Sequence, residues 1–342
     1  MNGTQNKILL IKLSSLGDVI FNVPLANALK DNGYEVSWLV SEKGIDIVKN
    51  NPCVDKVFLA PLDKWKRNKN KFQNIKEFFA LIKALKKEQF DIALDTQMRL
   101  KSLPFTRFCG AKRRIIAKDY KEFSNLGANE FIPKIKEGDT LNIVRCYLKY
   151  ANHLGINTDN IKISLPASTP QTIQKVDELL KNIDYSKPII TLAPATTWQG
   201  KHWNKNYWKQ LVKQLENEFT IVFTGTNKDL ELINYINENR HTNLAGKTNL
   251  QELIEVLRRT DLLISLDSGT THLGWASQHP KIVSIFCCTP SGLYAPIGSE
   301  YIACQSEICT PCHHKKCPMK DYQCTNSPSV ESVMKAIKCL LS

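Results

Sequence analysis

Short apolar runs rich in Ile, Val and Leu alternate with segments whose apolar residues recur at helical spacing, almost from one end of the chain to the other. In the first half, Lys7–Leu13, Glu35–Val40, Lys56–Leu59 and Ile92–Leu94 have the strand pattern, and Val19–Lys30 and Phe72–Glu88 the helical one. The second half repeats the plan with strands at Ile189–Leu192, Thr220–Phe223, Leu262–Leu266 and Ile282–Phe286, and with helices near Tyr207–Glu216, Asp229–Asn239 and Leu250–Arg258. Such alternation predicts βαβ crossovers and an α/β fold with parallel sheets covered by helices on both faces. Between the halves, "SLPASTPQTIQKVDELLKNIDYSKP" carries three prolines and no strand signal, which reads as a linker with one connecting helix. The expected division is a domain over 1–165, a linker over 166–186 and a second domain over 187–342. Val330, Val333, Met334, Ile337, Leu340 and Leu341 predict a closing helix, with Ser327-Pro328 as its cap and first position.

A length of 342 residues suits two domains. With 42% hydrophobic and 23% charged residues the composition is that of a folded protein and argues against disorder as the main state. No run approaches the roughly 18 apolar residues of a membrane span, and the N-terminus has no secretory pattern, so a cytoplasmic location is expected. Lys and Arg number 46 against 33 Asp and Glu, and the resulting +13 attracts polyanions: nucleic acid, anionic lipid or phosphorylated substrates. The eleven cysteines then read as reduced thiols, metal ligands or core fillers.

Three strand-to-helix loops carry polar chemistry, and ligands of open α/β sheets bind beyond the carboxyl ends of strands. The first is Ser14-Ser15-Leu16-Gly17-Asp18, which is neither G-x-G-x-x-G nor a P-loop. Gly17 suits a tight turn, and on spacing alone the first role of Asp18 is to cap the helix that follows. The second, "LAPATTWQGKHW" at 192–203, offers hydroxyl donors from Thr196 and Thr197 and a point charge from Lys201 to a phosphate, with Trp203 as a core anchor. The third, "LISLDSGTTHLGWA" at 263–276, places Asp267, Ser268, Gly269, Thr270, Thr271 and His272 at a helix start, where backbone N–H groups favour a diphosphate.

Two further stretches leave alternatives open. Lys64, Lys66, Arg67, Lys69 and Lys71 put five positive charges within eight residues, a solvated face or an anion-binding loop. The spacing Cys309-x2-Cys312-x4-Cys317-x6-Cys324 fits a structural zinc, an iron–sulfur cluster or a loop without metal.

Five motifs in order, "KLSSLGDV", "DTQMRLKS" at 95–102, "ATTWQGKHW", "FTGTNKD" at 223–229 and "DSGTTHL", resemble the ADP-heptose:lipopolysaccharide heptosyltransferases, from Lys7 to about Ser291. The resemblance implies the GT-B architecture, two Rossmann-like domains facing a central cleft, and an inverting transfer of heptose from ADP-heptose that requires no cofactor. It implies Asp18 as catalytic base and Lys201 as the cation beside the departing ADP. Ser15, Gly17, Thr196, Thr197, Asp229, Asp267, Ser268, Gly269, Thr270, Thr271 and His272 match donor-site positions, Asp229 standing where close relatives carry a glutamate on the adenosine ribose. The closest pattern is the heptosyltransferase I type, which acts on Kdo2-lipid A. Lys64, Lys66, Arg67 and Lys101 would then meet the acceptor's anionic groups, and the protein would sit peripherally on the cytoplasmic face of the inner membrane, with no nucleic-acid partner. Two competing expectations are a heptosyltransferase for a later core acceptor, and a non-catalytic nucleotide- or nucleic-acid-binding protein with a cysteine metal site.

Overall fold

The structure, a computed structural model, describes residues 6–136, 141–309 and 311–342. The chain divides into two compact units, the first ending at Ala167 and the second beginning at Ser168.

In the first unit, β1 (Lys7–Ile11), β2 (Glu35–Ser41), β3 (Lys56–Ala60), β4 (Ile92–Asp95), β5 (Arg113–Ala117) and β6 (Glu130–Ile132) form one sheet in the order β3-β2-β1-β4-β5-β6. All its pairings are parallel. The apolar runs explain the layering. Ile8, Leu9, Leu10 and Ile11 of β1 are all fully buried, so both faces of this central strand are covered, as a parallel sheet between helix layers requires. The helix Lys71–Lys87 lays Ile82 and Leu85 onto Leu9, Ile11 and Phe58.

In the second unit, β7 (Ile189–Ala193), β8 (Thr220–Phe223), β9 (Thr242–Asn243), β10 (Leu262–Leu266), β11 (Lys281–Phe286) and β12 (Tyr301–Gln305) form a second parallel sheet, ordered β12-β11-β10-β7-β8-β9. Counted from its own first strand this is the order of the first sheet. Each unit therefore has a switch point, between β1 and β4 and between β7 and β10, where loops leaving the carboxyl ends of neighbouring strands part and open a crevice. Helix Gly269–Ser277 sits hard on β10: a Cβ added at Gly274 would lie 2.4 Å from Leu263 Cδ2.

The segment read as a linker helix, Pro170–Leu180, packs into the second unit, Val176 and Leu180 joining Ile189, Val222, Leu244 and Val256. The closing helix runs Val330–Leu341 and is capped by Ser329, whose hydroxyl accepts the Ser332 N–H, two residues beyond the expected cap. The strands β5, β6, β9 and β12 and the helix Ile143–His153 were not predicted. β5 opens with two arginines, β6 has only three residues and β9 two, so none of these shows a clean apolar run.

Candidate active site

At the first switch point the chain leaves β1 through Lys12, Leu13, Ser14 and Ser15 and enters the helix Leu16–Asp31, with Ser15 as its cap. Asp18 Oδ2 accepts the Ser15 N–H at 3.2 Å and the Ser15 hydroxyl at 2.9 Å, so the aspartate does close a capping box. Its other oxygen does something else. Oδ1 accepts the Tyr147 hydroxyl at 3.0 Å and lies 3.6 Å from the Lys12 ammonium. Lys12 in turn donates to Tyr147 Oη at 2.7 Å and to the Thr96 carbonyl at 3.0 Å, with only 3% of its side chain exposed against 37% for Asp18. Burial opposes the charge on Asp18, but Lys12 and the two Ser15 donors outweigh it and hold the carboxyl down to about 2. Burial lowers the Lys12 pKa, with Asp18 opposing, and burial raises the Tyr147 phenol well above its usual value, so that it remains a donor.

The neighbouring strand steadies this loop. Asp95, buried at the end of β4, accepts the N–H groups of Gln97 and Met98 on Oδ1 and the Thr106 hydroxyl on Oδ2. Gln97, so oriented, accepts the N–H groups of Leu13 and Ser14 on one amide oxygen, each at 3.0 Å. Lys101 donates to Ser14 Oγ, and Arg99 pairs with Glu122 at 3.1 Å. Ser14, Ser15, Asp18, Gln97, Arg99, Leu100, Lys101 and Glu122 line an open pocket of about 590 Å³. That is room for a sugar-sized group.

The second switch point holds another lysine–carboxylate pair. Lys201 Nζ lies 2.6 Å from Asp267 Oδ2, the same oxygen accepts the Thr289 hydroxyl at 2.6 Å, and His272 Nε2 stands 3.8 Å from Oδ1. Asp267 is 4% exposed and Lys201 17%, its ammonium lying 4.7 Å from the centroid of the Trp198 ring. Thr196 donates to the Asp267 carbonyl at 3.3 Å, and the His202 ring contacts the Thr196 carbonyl at 2.9 Å, tying the β7 loop to the β10 loop. At the start of helix Gly269–Ser277, the Ser268 hydroxyl is buried and makes no hydrogen bond among the described residues.

The model of glycosyltransferase family 9 (heptosyltransferase) matches residues 78–323. The chain belongs to this family. Lipopolysaccharide heptosyltransferase 1 of Pseudomonas aeruginosa is 25% identical over 322 residues, covering 91% of this chain and 87% of that one. Lipooligosaccharide heptosyltransferase 2 of Campylobacter jejuni is 30% identical over 165 residues, 45% of this chain and 51% of that protein. Among solved structures, the E. coli heptosyltransferase WaaC with ADP shares the fold at a TM-score of 0.75 and 20% identity, covering 98% of this chain and 99% of that one. The α/β fold class and the glycosyltransferase reading expected from the motifs both stand.

In this family 9 heptosyltransferase the expected site residues fall into two sets. Ser15, Asp18 and Lys101 converge on the first pocket, whereas Thr196, Lys201, Asp267, Ser268 and His272 converge at the second switch point. Gly17, Gly269 and Thr270 lie in first helical turns, and Thr197 is exposed in the β7 loop. Three expectations change in detail. The Thr271 hydroxyl turns inward to Ser265 Oγ and the Leu266 carbonyl, fully buried, so that only its backbone faces the helix start. Asp229 Oδ2 is engaged by the Thr226 N–H and hydroxyl, each at 2.7 Å, closing its own loop. Lys64 is already bound to Glu77 at 2.7 Å, while Lys66 and Arg67 are exposed. Sequence reading missed Lys12, Tyr147 and Gln97, whose side chains reach hydrogen-bond partners 83 to 135 residues away along the chain. The motif "DTQMRLKS" at 95–102 holds the signal for Gln97, two residues after Asp95.

The tail cysteines do come together. Cys309, Cys312, Cys317 and Cys324 line a pocket of about 230 Å³ with Cys288, which spacing alone did not include. Among the described residues, however, no group of three or more His, Cys, Asp or Glu side chains is arranged to hold a metal ion. Two of these thiols have partners in the chain: Cys324 Sγ contacts the Gly200 carbonyl and Cys317 Sγ the Asp321 carboxylate, each at 3.8 Å. Burial pushes the Cys324 thiol up to about 12 and Cys288 to about 11, so both are protonated at neutral pH. The expected structural zinc or iron–sulfur cluster finds no support in this arrangement.

Proposed function

We propose that this enzyme transfers L-glycero-D-manno-heptose from ADP-heptose to the Kdo of Kdo2-lipid A, in the inner core of lipopolysaccharide, with inversion at the anomeric carbon. The observation that carries the reading is the environment of Asp18: ionised, held by Lys12 and Tyr147 from behind, and open on its other side to a pocket lined by Lys101 and Arg99. The similarity to lipopolysaccharide heptosyltransferase 1 over most of both chains supports the acceptor, and membership of a heptosyltransferase family supports the donor.

As the acceptor hydroxyl attacks the anomeric carbon, its oxygen becomes acidic, and Asp18 takes the proton at that stage. A carboxylate held near 2 is a weak base towards an alcohol at rest, so proton transfer runs late, after bond formation has begun. The gain is that Asp18 is charged at every physiological pH. At the second switch point, Lys201 shares one donor with Asp267 and keeps two for the departing diphosphate, and the backbone N–H groups from Gly269 onward add to it. In this reading the first unit takes the acceptor and the second the donor. Catalysis proceeds on these groups, so chelation with EDTA leaves the rate unchanged. The lipid acceptor places the enzyme on the cytoplasmic face of the inner membrane.

The test is ADP release from ADP-heptose with Kdo2-lipid A or, separately, an already heptosylated acceptor. Turnover on the first alone supports the proposal. Turnover on the second alone moves the enzyme one step later in core assembly, the reading favoured by the partial match to lipooligosaccharide heptosyltransferase 2.

A further inference from the structure

The helix Lys71–Lys87 has two apolar faces, and the fold uses only one. Ile82 and Leu85 point to the core at 6% and 0% exposure. On the outside, Phe72, Ile75 and Phe79 stand at 79%, 52% and 62%. Their spacing of three, four and seven residues places them on one stripe of the helix surface. Large apolar side chains are usually exposed singly, so three in a row call for a partner.

The charge around the stripe says what kind. Lys69, Lys71, Lys76 and Lys83 are exposed beside it. Glu77 is the only acid in the helix, and it is already bound by Lys64 at 2.7 Å and by the Trp65 indole at 2.8 Å. The edge facing out is therefore apolar in the middle and cationic at its margins, the distribution by which an amphipathic helix lies in the headgroup region of an anionic bilayer. A second copy of the chain fits poorly, because self-pairing would set lysine rows against each other, and three side chains fall well short of the roughly 1,200 Å² of a stable interface. Among the described residues no helix is long and apolar enough to cross a membrane, so any contact is made along a surface.

We propose that the outer face of helix Lys71–Lys87 seats the first unit on an anionic phospholipid bilayer, with Phe72, Ile75 and Phe79 inserted among the headgroups and the flanking lysines on the phosphates. The choice of a bilayer rests on the lipid-linked acceptor proposed above, but binding to vesicles needs neither donor nor acceptor, so the two readings fail separately. The experiment is co-sedimentation of the full chain with vesicles of phosphatidylethanolamine and phosphatidylglycerol, and with phosphatidylcholine alone, at low and at 0.5 M salt (about a 4 Å screening length). The chain should bind the anionic vesicles at least tenfold more tightly than the neutral ones, and retain part of that binding at high salt. Phe72→Ser with Phe79→Ser should abolish the salt-resistant part, and Lys76→Glu with Lys83→Glu the preference for anionic lipid. Phe72→Trp, which preserves the face, should add a blue-shifted emission quenched by lipid-borne nitroxide. ADP release with a deacylated, water-soluble acceptor should be unchanged in all three variants. Vesicle binding of the Ser variant equal to wild type, an added emission in Phe72→Trp that the nitroxide leaves unquenched, or a concentration-dependent dimer lost in the Ser variant would each overturn the proposal.

Discussion

The two units share a strand order and each sets a lysine against an aspartate at its switch point, yet the pairs face opposite ways. In the first, Lys12 is buried at 3% and Asp18 reaches the pocket at 37%. In the second, Asp267 is buried at 4% and Lys201 is the more open partner at 17%. One topology thus presents an anion at one crevice and a cation at the other. The buried member bears the larger desolvation cost, offset by the opposite charge it faces, and it fixes the position of its more open partner. The difference teaches that the strand order dictates where a charged pair goes, and that the choice of which residue sits inside decides which sign of charge the crevice presents.

The strongest way to break this comparison is to silence the outward anion. Asp18→Asn keeps the size and most hydrogen bonds but cannot accept a proton, and kcat for ADP release should fall about 100- to 10,000-fold with little change in the donor KM. A change in KM alone would remove Asp18 from the chemistry. Next comes the outward cation. Lys201→Ala should raise the donor KM and lower kcat, and it leaves Asp267 buried without its ammonium, at a cost of about 3 kcal/mol in urea unfolding. Adding Asp267→Asn should restore the stability and not the activity, which separates the two roles.

A smaller effect sharpens the first pair. Tyr147→Phe removes one donor from Asp18 and should lower kcat about tenfold. The acid limb of the pH–rate profile should then move up, because a hydroxyl that donates to a carboxylate favours its charged form. The smallest effect concerns stability. The Asp18 carboxyl is lowered from 3.8 in the unfolded chain to about 2 when folded, so its contribution is present above about pH 4 and is lost as pH falls towards 2. The gap in urea midpoint between wild type and Asp18→Asn should hold constant from about pH 8 to 5 and close below about 4.

Much of the fold was legible because its central strands are continuous apolar runs: β1, β7 and β10 announce themselves by composition alone. Edge strands were harder, since β6 and β9 carry too few residues for any period to show. The three polar loops were legible as strand-to-helix junctions, and Asp18 as part of the helix capping, where it is the third-position partner of the cap Ser15. Its other oxygen is held by Tyr147, 129 residues away, and no local pattern encodes that meeting. The cysteine spacing was read from four members, but the pocket they line is completed by Cys288 from the loop after β11. Spacing within a motif says little about a residue supplied from outside it.

Gln97 carries a consequence for how this sequence can drift. One amide oxygen collects two main-chain N–H groups of a different strand's loop, while the residue's own N–H is held by Asp95. Asparagine is a methylene too short to reach. Glutamate reaches, but adds a third carboxylate to a lining that already holds Asp18 and Glu122. A single position thus has almost no synonyms, and its vocabulary is restricted by the grammar of the neighbouring loop.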